Sequence, residues 1–215
     1  MAELYPYPRF SLAERDARWK RVRAKMQEEN LDVIVAPNNT GHSTDFQANS
    51  RYLSHVGGGG DADIAVVFPL EGDVTAIATS AAPRWPTVQD WTLDVREARR
   101  NYGRVTVERL KELGVDNGRI GIVGLGEIGG TRTPEGIIGY GFWKQIRETF
   151  PKAELVDVTN VMANLRHVKS DEEVDALTKS MEIIEKGIEA KVAAAKVGEK
   201  DWEVWAAAQY AMMRN

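Results

Sequence analysis

The sequence contains no cysteine, which excludes a disulfide framework, a thiolate zinc site and a cysteine nucleophile together. Histidine is scarce. His42, His55 and His167 are the only three, and no two of them stand at a metal-ligand spacing such as i, i+4. A histidine-rich metal centre is not expected, and no catalytic or metal-ligating residue is assigned to this chain. Long hydrophobic runs are also missing, since none approaches the ~20 residues that a membrane span needs. Without a signal-like N-terminus the expected compartment is the cytoplasm, and no membrane partner is expected. Charge of one sign is lacking too. The 28 Lys and Arg are interspersed with 32 Asp and Glu for a net charge of −4, which offers no basic face to nucleic acid.

What is present is enough apolar material for a core. At 215 residues and 43% hydrophobic, the chain has the size of one large domain, or of one domain with a further piece. It turns on Leu165-Arg166-His167-Val168-Lys169-Ser170-Asp171-Glu172-Glu173-Val174. Before this stretch, short apolar runs alternate with helical patterns and turn residues, and after it two helical patterns follow with no strand between them. Ser170 and Glu173 stand at capping-box spacing, where hydroxyl and carboxylate each take one free N–H of a first helical turn, so a helix starts here. Arg166, Lys169, Ser170 and Glu173 therefore mark a domain junction, dividing residues 1–164 from 165–215. Val174, Leu177, Met181, Ile184 and Ile188 recur at steps of 3, 4, 3 and 4, which predicts one apolar stripe on a helix reaching about Val197 and stopped by Gly198. That stripe needs a partner, either the preceding domain or another chain. Asp201 can open a second helix with Trp202, Trp205, Ala206, Gln209 and Met212 on one face. This pattern is still running at Asn215, which reads as a domain followed by the beginning of another.

From the start, residues 1–10 set Pro6 and Pro8 among aromatics and read as an extended lead-in that packs its rings elsewhere. Ser11 with Glu14 repeats the capping-box spacing, and Trp19, Val22, Arg23 and Met26 follow at helical steps, predicting a helix that ends near Asn30. Residues 31–36 form a β-branched run stopped by Pro37, Asn38 and Asn39, as a buried strand would be. Residues 46–53 suggest a short helix. The glycine run 57–60 reads as a flexible connector, because no Lys-Ser or Lys-Thr follows it as a phosphate loop requires. Asp61 and Asp63 read as a solvated hairpin shoulder. Residues 64–69 and 74–78 flank Glu71-Gly72-Asp73 as a hairpin; Pro83, Trp85, Pro86 and Trp91 are expected to interrupt any regular element; and a third strand is placed near 93–95. A helix over 103–113 closed by Gly114 and a strand over 119–123 complete this part.

Residues 124–129 match G-x-G-x-x-G, the spacing that lets a backbone turn tightly against a pyrophosphate at a helix N-terminus. Pro134 and Gly136 stand where that helix should begin, and the helical pattern resumes only over 137–150. Asp157 does follow, at the end of the next strand. Nicotinamide or flavin binding is thus a reading the motif allows and its context disfavours.

Taken together, Arg21 to Met26 leading into Leu31-Asp32-Val33-Ile34-Val35, then Asn49-Ser50-Arg51-Tyr52-Leu53, Arg119-Ile120-Gly121-Ile122, Val156-Asp157-Val158 and the junction itself make the chain resemble the creatinase and Xaa-Pro aminopeptidase family, the pita-bread metallohydrolases. The stretch 85–100 looks more like creatinase than like the peptidases. The resemblance implies an α/β fold: a mixed, ribonuclease-H-like sheet flanked by helices, followed by two C-terminal helices of an incomplete catalytic domain. It implies a parent hydrolase cleaving C–N bonds of small amides or prolyl peptides, with two divalent ions (Mn, Co or Zn) in the peptidases and none in creatinase itself. None of the family's five ligand positions falls within these residues, so no cofactor is expected in this chain and it should be inactive alone. The resemblance further implies a homodimer in which this domain lies over the partner's active site and restricts substrate length, with Arg51, Tyr52 and His55 lining the shared cleft. Where creatinase offers bulky and basic side chains to its substrate, this sequence has glycines and Ala62, which counts against creatine. A stand-alone peptide- or protein-binding module remains the alternative from another class.

Overall fold

The structure, a computed structural model, describes residues 9–38, 48–57, 63–79, 82–126 and 136–215. Helix α1 (Leu12–Glu28) begins at Ser11, whose Oγ accepts the Glu14 N–H at 3.0 Å, as the spacing predicted. It turns Glu14, Arg18, Val22 and Met26 inward at steps of four and ends ahead of Asn30, whose φ of 53° falls in the left-handed region that asparagine tolerates. Strand β1 (Val33–Ala36) and helix α2 (Ala48–Ser54) follow, then β2 (Ala65–Pro69) and β3 (Thr75–Ala78). A 3-10 turn at Ala82–Arg84 and a one-turn helix α3 (Trp85–Val88) lead to β4 (Asp94–Glu97). Helix α4 (Tyr102–Glu112), β5 (Arg119–Ile122), α5 (Tyr140–Thr149), β6 (Glu154–Asp157) and α6 (Thr159–His167) complete this part. Two long helices, α7 (Asp171–Ala194) and α8 (Asp201–Arg214), close the chain.

The six strands lie in the order β4-β3-β2-β1-β5-β6. The β2–β3 and β1–β2 pairs are antiparallel, and the β3–β4, β1–β5 and β5–β6 pairs are parallel, so the sheet is mixed. Alternation along each strand feeds two cores. Ile34, Ala36, Val66 and Phe68 point to the face that α1, α2 and α6 cover with Val22, Met26, Leu53 and Met162. Val33, Val35, Val67, Ile120 and Ile122 point to the other face, covered by Val105 and Leu110 of α4 and Phe142 and Ile146 of α5. Burial on both faces explains why these strands read as continuous apolar runs instead of alternating ones. Gly121 is required by packing, because a Cβ there would sit 2.8 Å from Val158 Cγ1.

The chain divides into two compact units, Met1–Val168 and Lys169–Asn215. In the second, Ser170 and Glu173 form the reciprocal capping box: the Glu173 N–H donates to Ser170 Oγ at 3.2 Å and the Ser170 N–H to Glu173 Oε2 at 3.0 Å. Helices α7 and α8 meet at Gly187, where a Cβ would lie 2.6 Å from Met212 Cγ. Ala208 is the buried residue of α8.

The structure adds to or corrects the expectations at several points. Trp85 and Pro86 do not merely interrupt structure; they open α3, because a proline in the first turn lacks only an N–H that would have no helical partner anyway. Helix α6 was not foreseen, although Val161, Met162 and Leu165 have helical spacing. Helix α7 ends at Ala194, and Gly198, with φ 96°, sits in the turn beyond. On α8 Ala208 is buried and Met212, one of the residues expected on a common face, meets Gly187 of α7, while Trp202 and Trp205 of that face are 58% and 62% exposed. Small side chains let two helices approach closely, and indole rings there would hold them apart.

Candidate functional site

The densest polar and aromatic cluster surrounds Arg18. This guanidinium is 2% exposed and donates to Glu14 Oε1 from Nε at 3.1 Å and Nη2 at 2.8 Å, and to the Tyr52 carbonyl from Nη1 at 3.1 Å. Three rings pack against it: Tyr52 at 4.2 Å, Trp91 at 4.9 Å and Phe10 at 5.4 Å from its central carbon. A buried cation tolerates such surroundings because a carboxylate, a carbonyl and aromatic faces replace water. The residues arrive from four places: α1, the C-terminal end of α2, the segment after α3, and the approach to α1. Gln89 fixes the third of these. Its Oε1 accepts from the Trp91 and Thr92 N–H groups at 2.8 and 2.9 Å, while Thr92 Oγ1 donates to the Ser54 carbonyl at 3.0 Å.

Of the three residues expected to line a shared cleft, Tyr52 and His55 join this cluster and Arg51 lies exposed on the outer side of α2. Tyr52 is buried, and its hydroxyl donates to the Leu165 carbonyl at 3.2 Å, tying α2 to α6. His55 is buried behind it, edge-on to Trp91 with ring centroids 4.9 Å apart, and its Nε2 accepts the Phe10 N–H at 3.1 Å. Burial, reinforced by Arg18 and Arg51 and opposed by Asp90, lowers its pKa from 6.5 to about 4, so the ring is neutral at physiological pH. Tyr52 and His55 hold the fold in place, and Arg51 is the member of the trio whose side chain reaches solvent. Neither Arg18 nor Trp91 was expected as a site residue. The signal available was Glu14 four residues before Arg18, a spacing that reads equally well as a surface pair.

The junction residues occupy different roles. Arg166 is half-buried in α6, Lys169 is exposed, and Ser170 and Glu173 cap α7. The glycine motif is accounted for at its first positions. The Gly124 N–H donates to Thr159 Oγ1 at 2.8 Å, the Gly124 carbonyl accepts from the N–H groups of Ile137 and Ile138 at 2.9 and 3.0 Å, and the space a Cβ of Gly126 would need is filled by the Asp157 carboxylate. Asp157 in turn accepts the Thr159 N–H at 3.1 Å. The groups that would cradle a pyrophosphate at Gly124 are therefore committed to the fold. Residues 127–135 of the motif and its sequel, like His42, Asp61 and the glycines 58–60, lie outside the described residues. Asp63 is described, and its carbonyl accepts the Tyr102 hydroxyl at 2.8 Å. Among the described residues no group of three or more His, Asp or Glu could hold a metal ion, and no helix is long and apolar enough to cross a membrane.

Comparison with known proteins points one way. A family model described as the Creatinase/Prolidase N-terminal domain matches residues 18–168. The chain is 25% identical over 210 residues to a creatinase of Bacillus sp. (strain B-0618), covering 97% of this chain and 47% of that protein. Among solved structures, the X-Pro aminopeptidase from Thermotoga maritima MSB8 superimposes with a TM-score of 0.70 at 18% identity, over 91% of this chain and 49% of that one. The Xaa-Pro dipeptidase from Bacillus anthracis gives 0.68 at 16% identity, over 93% and 49%. At these identities the two structures speak for the fold. The chain spans about half the length of the relatives it matches.

Proposed function

This chain belongs to the creatinase/prolidase N-terminal domain family, and from that premise we propose that it is the non-catalytic, N-terminal portion of a hydrolase that cleaves C–N bonds in small amides or prolyl peptides. The observation that carries the reading is the surface of α7. Val174, Leu177, Met181, Ile184 and Ile188 are 41% to 55% exposed along one stripe of a helix that follows the family domain. A contiguous apolar stripe of this kind marks a contact. In this reading residues 165–215 are the junction and first helices of a catalytic domain, and that domain covers the stripe.

Metal chemistry, where the whole enzyme uses it, is assigned in this reading to the catalytic domain, and no step is assigned to a residue of this chain. Its work is positional: pairing two subunits and limiting substrate length across the shared cleft. Arg51 is the residue proposed to face that cleft. Tyr52, bonded to Leu165, and Ser50, whose Oγ donates to the Ile64 carbonyl at 2.7 Å, hold α2 rigid beneath it.

The test is an Xaa-Pro peptidase and creatinase assay of the 215-residue chain with Mn²⁺, Co²⁺ or Zn²⁺, alone and co-expressed with a catalytic domain from a family member. The expected result is no turnover alone and sedimentation of the assembled protein as a dimer. Turnover by the chain alone that survives repurification would overturn the proposal. A peptide- or protein-binding module draws on the same exposed stripe, and saturable binding of short peptides by a chain that fails to join any catalytic domain would favour it.

A further inference from the structure

We propose that Phe10, His55 and Trp91 form a proton-released latch: with a neutral imidazole it holds Phe10 against His55 and Trp91 just ahead of α1, and protonation of the ring lets Phe10 go.

Phe10 lies in no helix or strand, yet both of its backbone polar groups are used. Its N–H donates to His55 Nε2 at 3.1 Å and its carbonyl accepts Trp91 Nε1–H at 3.0 Å. Its ring lies 5.5 Å from that of His55 and 6.3 Å from that of Trp91. An imidazole nitrogen accepts a hydrogen bond only while it carries no proton; once protonated, Nε2 is a donor pointed at the Phe10 donor. The same proton therefore removes one bond and replaces it with a repulsion.

The charges around the ring set the direction of the response. Helix α1 contributes Arg18, paired with Glu14; α2 contributes Arg51; and the segment after α3 contributes Asp90. Two cations oppose a positive imidazole and one exposed carboxylate favours it. With burial acting the same way as the cations, the ring stays neutral until about pH 4. His55 also has φ 57°, a left-handed conformation that histidine adopts far less readily than glycine and that fixes where the ring points. Release would uncover one side of the Arg18 guanidinium and the indole of Trp91.

The experiment is a pH titration of the ¹⁵N-labelled full chain by two-dimensional NMR, from about pH 7 to about pH 3. The Phe10 amide and Trp91 indole signals are expected to move together with the His55 ring, at a midpoint of about 4, while signals of Ile34 and Ile120 hold. In His55→Asn, which suits the left-handed backbone but cannot titrate, the Phe10 signal should start at its released position and show no midpoint. In Trp91→Phe, one bond of the latch is gone and the midpoint should rise toward 6.5, the ordinary value for the ring. The proposal fails if His55 titrates while Phe10 and Trp91 stay still, if His55→Asn keeps the midpoint, if Trp91→Phe leaves it unchanged, or if the Ile34 and Ile120 signals vanish at the same pH.

Discussion

The two units solve the problem of burial differently. In Met1–Val168 a six-stranded sheet is covered on both faces, and Phe68, Ile34, Ile120 and Ile146 are fully buried. In Lys169–Asn215 two helices meet where Gly187 faces Met212 and Ala208, and many larger side chains, among them Val174 on α7 and Trp205 on α8, stay exposed. A full side chain removed from water is worth roughly 1.5–3 kcal/mol, and the second unit has few that are fully buried. The first unit buries its large apolar side chains, and the second leaves a stripe of them exposed.

The largest effect should come from separating them. A chain ending at Val168 is expected to keep the urea midpoint that the full chain shows by tryptophan fluorescence. A peptide of residues 169–215 should lose most of its far-ultraviolet helix signal, since isolated helix pairs with so little burial are marginal. A lowered midpoint on truncation would show that the first unit depends on the second. Next in size, Phe68→Ala should cost about 3–5 kcal/mol in urea denaturation, because it empties a buried site. Ile184→Ala, on the exposed stripe, should change stability by less than about 0.5 kcal/mol. Comparable losses would mean that the stripe is covered in solution.

Acid sharpens the contrast, because the titrating group lies in the first unit. The His55 pKa is lowered in the fold to about 4 from 6.5, so between those values the unfolded chain binds more protons than the folded one. Its contribution, at most about 3 kcal/mol, is fully present above pH 6.5 and is lost as pH falls toward 4. His55→Asn should flatten the pH dependence of the urea midpoint across that window. The smallest effect is expected from Thr106→Val. Thr106 Oγ1 is buried with no hydrogen-bond partner, so replacing the hydroxyl by a methyl of like shape should shift stability upward by no more than about 1 kcal/mol.

Much of the local structure was legible from pattern alone. The Ser11 and Ser170 caps, the buried run at β1, the β2–β3 hairpin across Gly72, with φ 88°, and the strand at β5 all rest on local chemistry that a sequence displays directly. Sheet order was not legible, because nothing in residues 33–36 says that they pair with both 66–69 and 120–122. The packing of α8 on α7 was not legible for the same reason. Helical spacing identifies candidate faces, but which face turns inward depends on the fit to Gly187 of another helix. At the candidate site, the resemblance picked out Arg51, Tyr52 and His55 by position in a motif, while tertiary packing turned two of the three inward. The cluster around Arg18 assembles side chains from four separate segments, and such convergence leaves no trace in any one of them.

Strand β1 has its two neighbours at very different distances along the chain. Its antiparallel partner follows soon after it, but Asp32, at its mouth, meets Arg119 across 87 positions. During synthesis β1, β2 and β3 can pair as soon as Ala78 has emerged from the ribosome, leaving one flank of β1 bare until β5 arrives. For that interval the nascent chain carries an open, apolar strand edge of the kind that invites pairing with the wrong neighbour.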